Sequence, residues 1–225
     1  MQKKYYEAYD ERYKQVHEHN LQWFSEEPSL IVAEVIREFS VQKSHKILEI
    51  GCGEGRDAYF LLENGFDVLA SDISDEAIAF CKRNFPRYSE NFTKLNCITD
   101  TLEEKFDFIF AVAVVHMLVL DEDRRAFYNF IRNHLKSSGI ALVCTMGDGK
   151  EVRRTDINLA FEMQNRIHEQ SGKNLQIVST SCRMVDFEQF HKELFESNFQ
   201  ILKEGITSVE PDFPQMMFAV IKSKN

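Results

Sequence analysis

A glycine-rich turn between a predicted strand and a predicted helix constrains this chain more than any other feature. The apolar stretch Lys46–Ile50 runs directly into Gly51-Cys52-Gly53-Glu54-Gly55, and a helical pattern follows to about Asn64. A turn of this kind lets a ligand touch the backbone at the carboxyl end of a strand, because a Cβ at Gly51 or Gly53 would block the approach. The N–H groups that open the next helix favour an anionic group there.

An acid follows the next predicted strand. Asp67–Ser71 is apolar in its centre and ends at Asp72, about 20 residues beyond the first glycine, where an acid can accept both hydroxyls of a ribose. The alternative is a tight turn with a helix-capping acid and no ligand. Ser74 is predicted to cap the next helix, which should end before Pro86.

Three further strands are predicted near Phe92–Asn96, Phe106–Val115 and Gly139–Thr145, with a helix over Glu122–Leu135. The second of them is almost continuously apolar, which indicates a strand covered on both faces. Strands that alternate with helices at this spacing predict βαβ units and a doubly wound, mostly parallel sheet. The link 97–105 is too short for a full crossover helix.

The residues around this core are predicted to complete a single domain. Two helices are expected at the start, over Lys3–His19 and after Pro28. A helix over Asp156–Gln170 and a strand over Leu175–Cys182 are expected in an inserted segment. The predicted units are a helical cover (1–42), a cofactor-binding core (43–149), an insertion that caps the substrate (150–185), and a last helix with a closing hairpin (186–225).

The last of these units begins with a helix over Asp186–Asn198, opened by a capping box. Strands near Gln200–Val209 and Met216–Lys222 follow with no helix between them, so they should pair antiparallel. The predicted fold is therefore α/β and Rossmann-like, with a mostly parallel seven-stranded sheet that ends in an antiparallel hairpin.

Charge and cysteine content narrow the functional classes. The chain has 27 Lys and Arg against 36 Asp and Glu, a net charge of −9, which opposes nucleic acid as a partner. Five cysteines without a Cys-x-x-Cys pair predict reduced thiols in the cytoplasm and no metal site, with a thiol site for a soft metal or metalloid as the alternative. No signal peptide or membrane span is predicted, and the oligomeric state stays open.

The spacing of the glycines bears on the ligand. The pattern is G-x-G-x-G, whereas a dinucleotide site uses G-x-G-x-x-G to place a pyrophosphate on the helix. Glu49 beneath the turn would repel a pyrophosphate but tolerate an ammonium group. These features favour a nucleoside with an amino-acid tail. The alternative for Glu49 is a partner for N–H groups of the loop.

These motifs resemble those of the class I S-adenosylmethionine-dependent methyltransferases. Ile47–Arg56 is similar to their first motif, Val68–Ser74 to their second, and Phe106–Phe110 to the strand that lines the methyl-donor pocket. Ser137-Ser138-Gly139 before the fifth strand and the closing hairpin also match that fold. Gly55-Arg56-Asp57 is similar to tellurite-resistance-type and thiopurine-type small-molecule methyltransferases.

The resemblance implies S-adenosylmethionine as the cofactor and a set of contacts. The glycine turn would pack against its methionine part, Asp72 would take the ribose hydroxyls, and Ile73 would lie against adenine. Either Asn96 or Asp100 would read the adenine amino group, and Ala111 would line the floor. The implied contact residues are Glu49, Gly51, Cys52, Gly53, Gly55, Arg56, Asp72, Ile73, Asn96, Cys97, Asp100 and Ala111.

Two residues of the predicted site have alternative roles. His116 is the candidate base near the methyl donor, and a base is needed only if the acceptor must lose a proton. The alternative is a histidine that shapes the pocket or bonds a backbone carbonyl. Arg56 would pair with the cofactor carboxylate or, alternatively, bridge to Asp57 or Glu54.

Side chains outside the core could complete the acceptor pocket. Arginines of the insertion and its end would bind an anionic acceptor or simply lie in solvent; they are Arg153, Arg154 and Arg183. Aromatic residues of the first helices would cover the pocket or pack those helices on the core; they are Tyr5, Tyr6, Tyr9, Tyr13, Trp23 and Phe24.

The sequence thus predicts methyl transfer from S-adenosylmethionine to a small-molecule acceptor. The alternatives are a regulatory module that binds S-adenosylmethionine without turnover and an NAD-dependent oxidoreductase. A nucleic-acid methyltransferase is disfavoured by the charge. It is also disfavoured because the fourth strand continues as Ala111–Val114, without the Asn/Asp-Pro-Pro-aromatic tetrapeptide of base-methylating enzymes.

Overall fold

A twisted sheet organises the computed structural model, which describes residues 3–23, 26–168, 170–209 and 211–224. The strands in these ranges are β1 (Lys46–Ile50), β2 (Asp67–Asp72), β3 (Phe92–Lys94), β4 (Phe106–Val112), β5 (Leu135–Met146), β6 (Arg153–Arg154), β7 (Met163–Ile167), β8 (Asn174–Val178), β9 (Arg183–Met184), β10 (Phe199–Val209) and β11 (Phe213–Ser223).

Seven of these strands form the central sheet in the order β10-β11-β5-β4-β1-β2-β3. Strands β1 to β5 pair in parallel, and the closing hairpin pairs antiparallel with itself and with β5. The predicted fold class is therefore confirmed. The α-helices are α1 (Ala8–His17), α2 (Leu30–Glu38), α3 (Arg56–Glu63), α4 (Asp75–Asn84), α5 (Asp121–His134) and α6 (Phe187–Glu196).

The middle of the sheet is buried on both faces because alternate residues of each strand enter different layers of the core. In β1, Leu48 packs in the layer beneath α5 and α6, while Ile47 packs in the layer beneath α2 and α3. In β4, Ile109 joins the first layer and Phe110 the second. This period of two explains why the fourth strand reads as a continuous apolar run.

Strand β4 is shorter than predicted. It ends at Val112, and the chain then turns at Ala113, whose φ is +59°, into a short 3-10 helix over Val115–Met117. The N–H of Ala113 donates to Cys144 O at 3.1 Å, which ends the pairing with β5. The apolar run continues because these residues are buried under neighbouring segments, so hydrophobicity alone did not mark the end of the strand.

The helix predicted over 156–170 is wrong. The segment forms a short 3-10 helix over Ile157–Leu159 and then β7, which pairs antiparallel with β8 around a turn at Gly172. Strand β8 also ends at Val178, earlier than predicted. The hairpin forms because Leu175 and Ile177 of β8 bury their side chains against Val16 of α1, and that distant contact outweighs local helical preference. Residue 169 lies outside the described ranges.

A buried ion pair ties the second half of the domain together. The Arg124 guanidinium of α5 donates to both carboxylate oxygens of Glu193 of α6, at 2.8 Å from Nε and 2.7 Å from Nη2. It also donates to Val115 O at 2.6 Å, in the turn after β4. Since Arg124 is only 1% exposed, losing it would leave a buried carboxylate without its partner.

We expect Arg124→Met to lower the free energy of unfolding by about 3–5 kcal/mol, the usual cost of breaking a buried pair from one side. The measurement is urea unfolding followed by circular dichroism. Arg125→Met is the matched control: Arg125 is the next residue on the same helix and is exposed, so its change should stay within about 0.5 kcal/mol. Equal losses in the two variants would contradict this assignment.

Candidate active site

The glycine turn is held in a conformation that other residues resist. Gly51, Gly53 and Gly55 have φ of +73°, +53° and +84°, the left-handed region that glycine adopts without strain. A Cβ on Gly51 would lie 2.4 Å from Val114 Cγ2, and one on Gly53 would lie 2.7 Å from the Tyr13 hydroxyl. The glycines are therefore required by close packing of the chain itself as well as by the conformation of the turn.

Asp72 joins the turn to the neighbouring strand. Its Oδ2 accepts from Gly53 N at 2.9 Å and its Oδ1 accepts from Ser74 N at 2.8 Å. Burial raises the pKa of Asp72, and the hydrogen bonds from these N–H groups act against that rise. Each carboxylate oxygen has a further lone pair, so the group can still accept hydroxyls from the cavity.

The turn and the ends of β1, β2 and β4 surround a cavity of about 100 Å³, here called the first cavity. Nine of the twelve residues predicted to contact the cofactor line it. They are Glu49, Gly51, Cys52, Gly53, Arg56, Asp72, Ile73, Asn96 and Cys97. The parallel pairing of the strands brings these residues together, because their carboxyl ends meet at one edge of the sheet.

The other three predicted contacts lie away from the lining. Gly55 packs behind the turn, where a Cβ would meet Cys81 Sγ at 2.9 Å. Asp100 accepts from Asn96 N at 2.9 Å and so stabilises the turn after β3. Ala111 is fully buried within β4, and the floor is formed by the three residues that follow it, 112–114. Of the two candidates for the adenine contact, Asn96 is the one at the cavity.

Glu49 is buried in the wall of the first cavity with an unsatisfied oxygen. Glu49 is only 4% exposed, and its Oε2 has no hydrogen-bond partner among the described residues. Burial raises the pKa of Glu49 well above its ordinary value, and the nearby Asp57 carboxylate adds to the rise. A buried unpaired acceptor is costly, so a cationic donor in the cavity would stabilise this group.

Arg56 is paired by a residue that the sequence did not suggest. Its Nη1 lies 2.7 Å from Oδ2 of Asp212, in the loop between β10 and β11, and both side chains are largely buried. The ion pair fastens the closing hairpin to the start of α3, beside the first cavity. No pattern in the sequence linked these two distant residues, since only the tertiary fold brings them together.

The N-terminal segment closes one side of the first cavity. Tyr6, Tyr9 and Tyr13 line it, as a cover would. Tyr5 instead packs in the core and anchors the segment, with its hydroxyl accepting from Val119 N at 2.9 Å. Trp23 lies farther away, and Phe24 is outside the described residues. Tyr6, Tyr9 and Tyr13 thus cover the pocket, whereas Tyr5 packs the segment on the core.

A second cavity of about 410 Å³ adjoins the first, and the two share Tyr9, Met117 and Phe213. The insertion supplies much of its wall, including Arg153. Arg154 is not in that lining. Arg183 pairs with Asp121 and also donates to a backbone carbonyl.

His116 lines the second cavity, on the 3-10 helix after β4. It is 3% exposed, and its Nδ1 has no hydrogen-bond partner among the described residues. Burial and the nearby Arg124 lower the pKa of His116 to about 3. Such an imidazole is neutral near pH 7 and is a weak proton acceptor, so the geometry favours a role in shaping the pocket over general base catalysis.

Comparisons with known proteins agree with this site. The model of a methyltransferase domain family matches residues 48–141, which include the turn and Asp72. A probable S-adenosyl-L-methionine-dependent methyltransferase, TehB of Haemophilus influenzae, is 29% identical over 102 residues. That match covers 44% of this chain and 35% of TehB, so the aligned segment spans about a third of the relative's length.

Solved structures share the whole architecture. An S-adenosylmethionine-dependent methyltransferase from Clostridium acetobutylicum superposes with a TM-score of 0.64 at 15% identity, covering 98% of this chain and 99% of that one. The glycopeptide N-methyltransferase MtfA complexed with S-adenosyl-L-methionine gives 0.64 at 16% identity, with 88% and 95% covered. The matched family model and the shared fold agree with the resemblance of the motifs to class I S-adenosylmethionine-dependent methyltransferases.

Two further properties hold for the described ranges. No group of three or more His, Cys, Asp or Glu side chains there is arranged to hold a metal ion. Among the helices in the same ranges, none combines the length and the apolar character that crossing a bilayer requires.

A histidine fastens the cover to the glycine turn. The His17 imidazole of α1 lies 2.9 Å from Glu54 of the turn and 2.8 Å from Glu76 of α4, and it stacks on Phe80 at 4.7 Å. Burial lowers its pKa, but the two carboxylates together raise it by more, so the net shift is upward. Arg83 also pairs with Glu76 at 3.0 Å.

This raised pKa predicts a pH-dependent stability. Because the folded value lies above the ordinary one, the stabilisation by His17 is fully present below about pH 6.5 and is lost as the pH rises through the folded value. We expect the difference in unfolding free energy between the wild type and His17→Gln to shrink from pH 6 to pH 8, measured by urea unfolding. His19→Gln, at an exposed position, is the control. A constant difference for His17→Gln would refute the role.

Proposed function

We propose that this protein transfers the methyl group of S-adenosylmethionine to a small-molecule acceptor. One observation carries the proposal: a buried glutamate with an unsatisfied oxygen and a second carboxylate face the same glycine-lined cavity. Glu49 suits an ammonium group and Asp72 suits a pair of hydroxyls. An amino acid joined to a nucleoside carries both of these groups, whereas a dinucleotide would place a pyrophosphate near Glu49.

The residues of the first cavity fit each part of such a ligand. Glu49 would hold the ammonium group, and Asp72 would accept from the ribose. Ile73 would lie against the adenine, with Asn96 close to its amino group. The lining includes Tyr6, Tyr9 and Tyr13, so the N-terminal segment would exclude water from the bound ligand.

The chain itself contributes positioning to the reaction. The cofactor supplies an activated methyl group, whose carbon forms a bond to a lone pair of the acceptor as its bond to sulfur breaks and the electron pair stays on sulfur. The two cavities meet at Tyr9, Met117 and Phe213, so an acceptor in the second cavity would face the donor across these side chains. Holding the two in line can supply about 7–11 kcal/mol of the barrier.

The setting we propose is the cytoplasm. The five cysteines are all free thiols, which supports a reducing compartment. The net charge of −9 supports a small molecule over a nucleic acid as the acceptor.

We expect Asp72→Ala to weaken the binding of S-adenosylhomocysteine by at least about tenfold. Hydrogen bonds to a charged group are worth about 1.5–3 kcal/mol, and about 1.4 kcal/mol is tenfold. The measurement is isothermal titration calorimetry. Asp67→Ala is the matched control, because Asp67 is exposed at the opposite end of the same strand.

Two results, one from titration and one from an acceptor screen, would overturn the proposal. One is binding of NAD by the wild type with no heat from S-adenosylhomocysteine or S-adenosylmethionine. The other is an acceptor screen in which S-adenosylmethionine binds but no S-adenosylhomocysteine is released, since a regulatory module would behave in that way.

Glu49→Gln tests the ammonium contact separately. We expect it to weaken S-adenosylhomocysteine by about tenfold or more, because a charge-assisted hydrogen bond becomes a neutral one. The affinity for 5′-methylthioadenosine, which lacks the amino-acid part, should stay unchanged in the same calorimeter. Equal losses for both ligands would show that Glu49 acts on the turn and not on the ammonium group.

A further inference from the structure

The second cavity differs in charge from the rest of the protein. Although the chain carries a net charge of −9, three guanidinium groups line this cavity: Arg12, Arg153 and Arg166. None of the three lines the first cavity, and the residues shared by the two cavities carry no formal charge. These three positive charges therefore line the second cavity and not the first.

Arg12 is the most unusual of the three, because it is a buried cation with an unsatisfied donor. The residue is 4% exposed, and its Nη2 donates to Val178 O at 2.9 Å and to Ser179 O. Its Nε has no hydrogen-bond partner among the described residues. The guanidinium also lies 4.8 Å from the centre of the Trp23 ring. These contacts hold the group in place without neutralising its charge.

The carboxylates of the described residues do not compensate these arginines. No ion pair within the described ranges includes Arg12, Arg153 or Arg166. The acid in the lining of the second cavity is Asp212, which pairs with Arg56 at 2.7 Å. A buried cation without a counter-ion is costly, so an anionic ligand would be strongly favoured here.

We propose that the second cavity binds the carboxylate of an organic acid, which is the methyl acceptor. This inference rests on the proposed function, since the donor must occupy the first cavity. The carboxylate would lie against Arg12, with Arg153 and Arg166 adding to the attraction, and arginine suits it because its planar donors match two carboxylate oxygens.

The size of the cavity and its apolar side define the rest of the acceptor. A volume of about 410 Å³ exceeds the needs of a single carboxylate or an inorganic oxyanion. The uncharged boundary formed by Tyr9, Met117 and Phe213 suits an apolar body that carries the nucleophilic atom. The acceptor is thus anionic at one end, and the methylated atom lies at the other end, facing the donor.

Calorimetry with three probes tests the recognition of the charge. The full chain is titrated with 4-hydroxybenzoate, with its neutral counterpart 4-hydroxybenzamide and with sulfate, each with and without saturating S-adenosylhomocysteine. We expect the benzoate to bind at least about tenfold more tightly than either of the others. Equal affinity for the amide would overturn the assignment of a carboxylate. Equal affinity for sulfate would overturn the assignment of an organic body to the acceptor.

Neighbouring arginines supply a matched pair of variants. Arg153 lines the cavity, whereas Arg154 follows it on the same exposed strand and is not in the lining. We expect Arg153→Gln combined with Arg166→Gln to weaken benzoate binding by about tenfold and to leave the amide unchanged. Arg154→Gln should change neither affinity, and a loss equal to that of the double variant would refute the site.

The same titrations separate this proposal from the proposed function. The arginine variants should bind S-adenosylhomocysteine as the wild type does, because none of these residues lines the first cavity. Normal cofactor binding without any preference for benzoate would refute the acceptor class alone. A wild type that prefers benzoate but binds no S-adenosylhomocysteine would refute the methyltransferase proposal and leave the anion site standing.

Discussion

The rest of the site depends on one hydrogen-bonded junction between two parallel strands. The N–H groups of Gly51 and Cys52 donate to Ser71 O at 2.7 and 2.9 Å, and Gly53 N donates to the Asp72 carboxylate. This junction holds the turn after β1 against the end of β2. Because the turn is closed in this way, the side chains of Glu49 and Asp72 line one cavity, and the start of α3 points toward it. The chemistry of the site follows from that convergence.

Around this junction, the peripheral segments convert an open edge of the sheet into enclosed space. Helix α1 contributes tyrosines to the first cavity and sends Arg12 across to the carbonyl of Val178 in the insertion. The hairpin loop reaches back through Asp212 to Arg56. Each of these contacts joins residues that are far apart in the chain. These peripheral segments supply much of the wall of the second cavity, while the turn and the strand ends beneath them form the first.

Local patterns predicted the central fold well where strand, turn and helix each had a clear signal. The bounds of β1 and α4 agree with their capping and hydrophobic patterns, since Ser74 accepts from Ala77 N as an N-cap does. Prediction failed where a distant partner decided the outcome. The segment over 163–167 became a strand because β8 pairs with it and α1 covers β8. The residues after Val112 left the sheet although their hydrophobicity continued.

By itself, the sequence determined the class of fold and nine of the residues that line the first cavity, because glycines at positive φ and an acid one strand away are local requirements of the turn. Only the tertiary structure decided the surroundings of each side chain. Burial left Glu49 with an unsatisfied oxygen and made His116 a weak base, and folding brought Arg12, Arg153 and Arg166 around one cavity. The physical reason is that pKa and charge balance depend on desolvation and on neighbours contributed by distant parts of the chain.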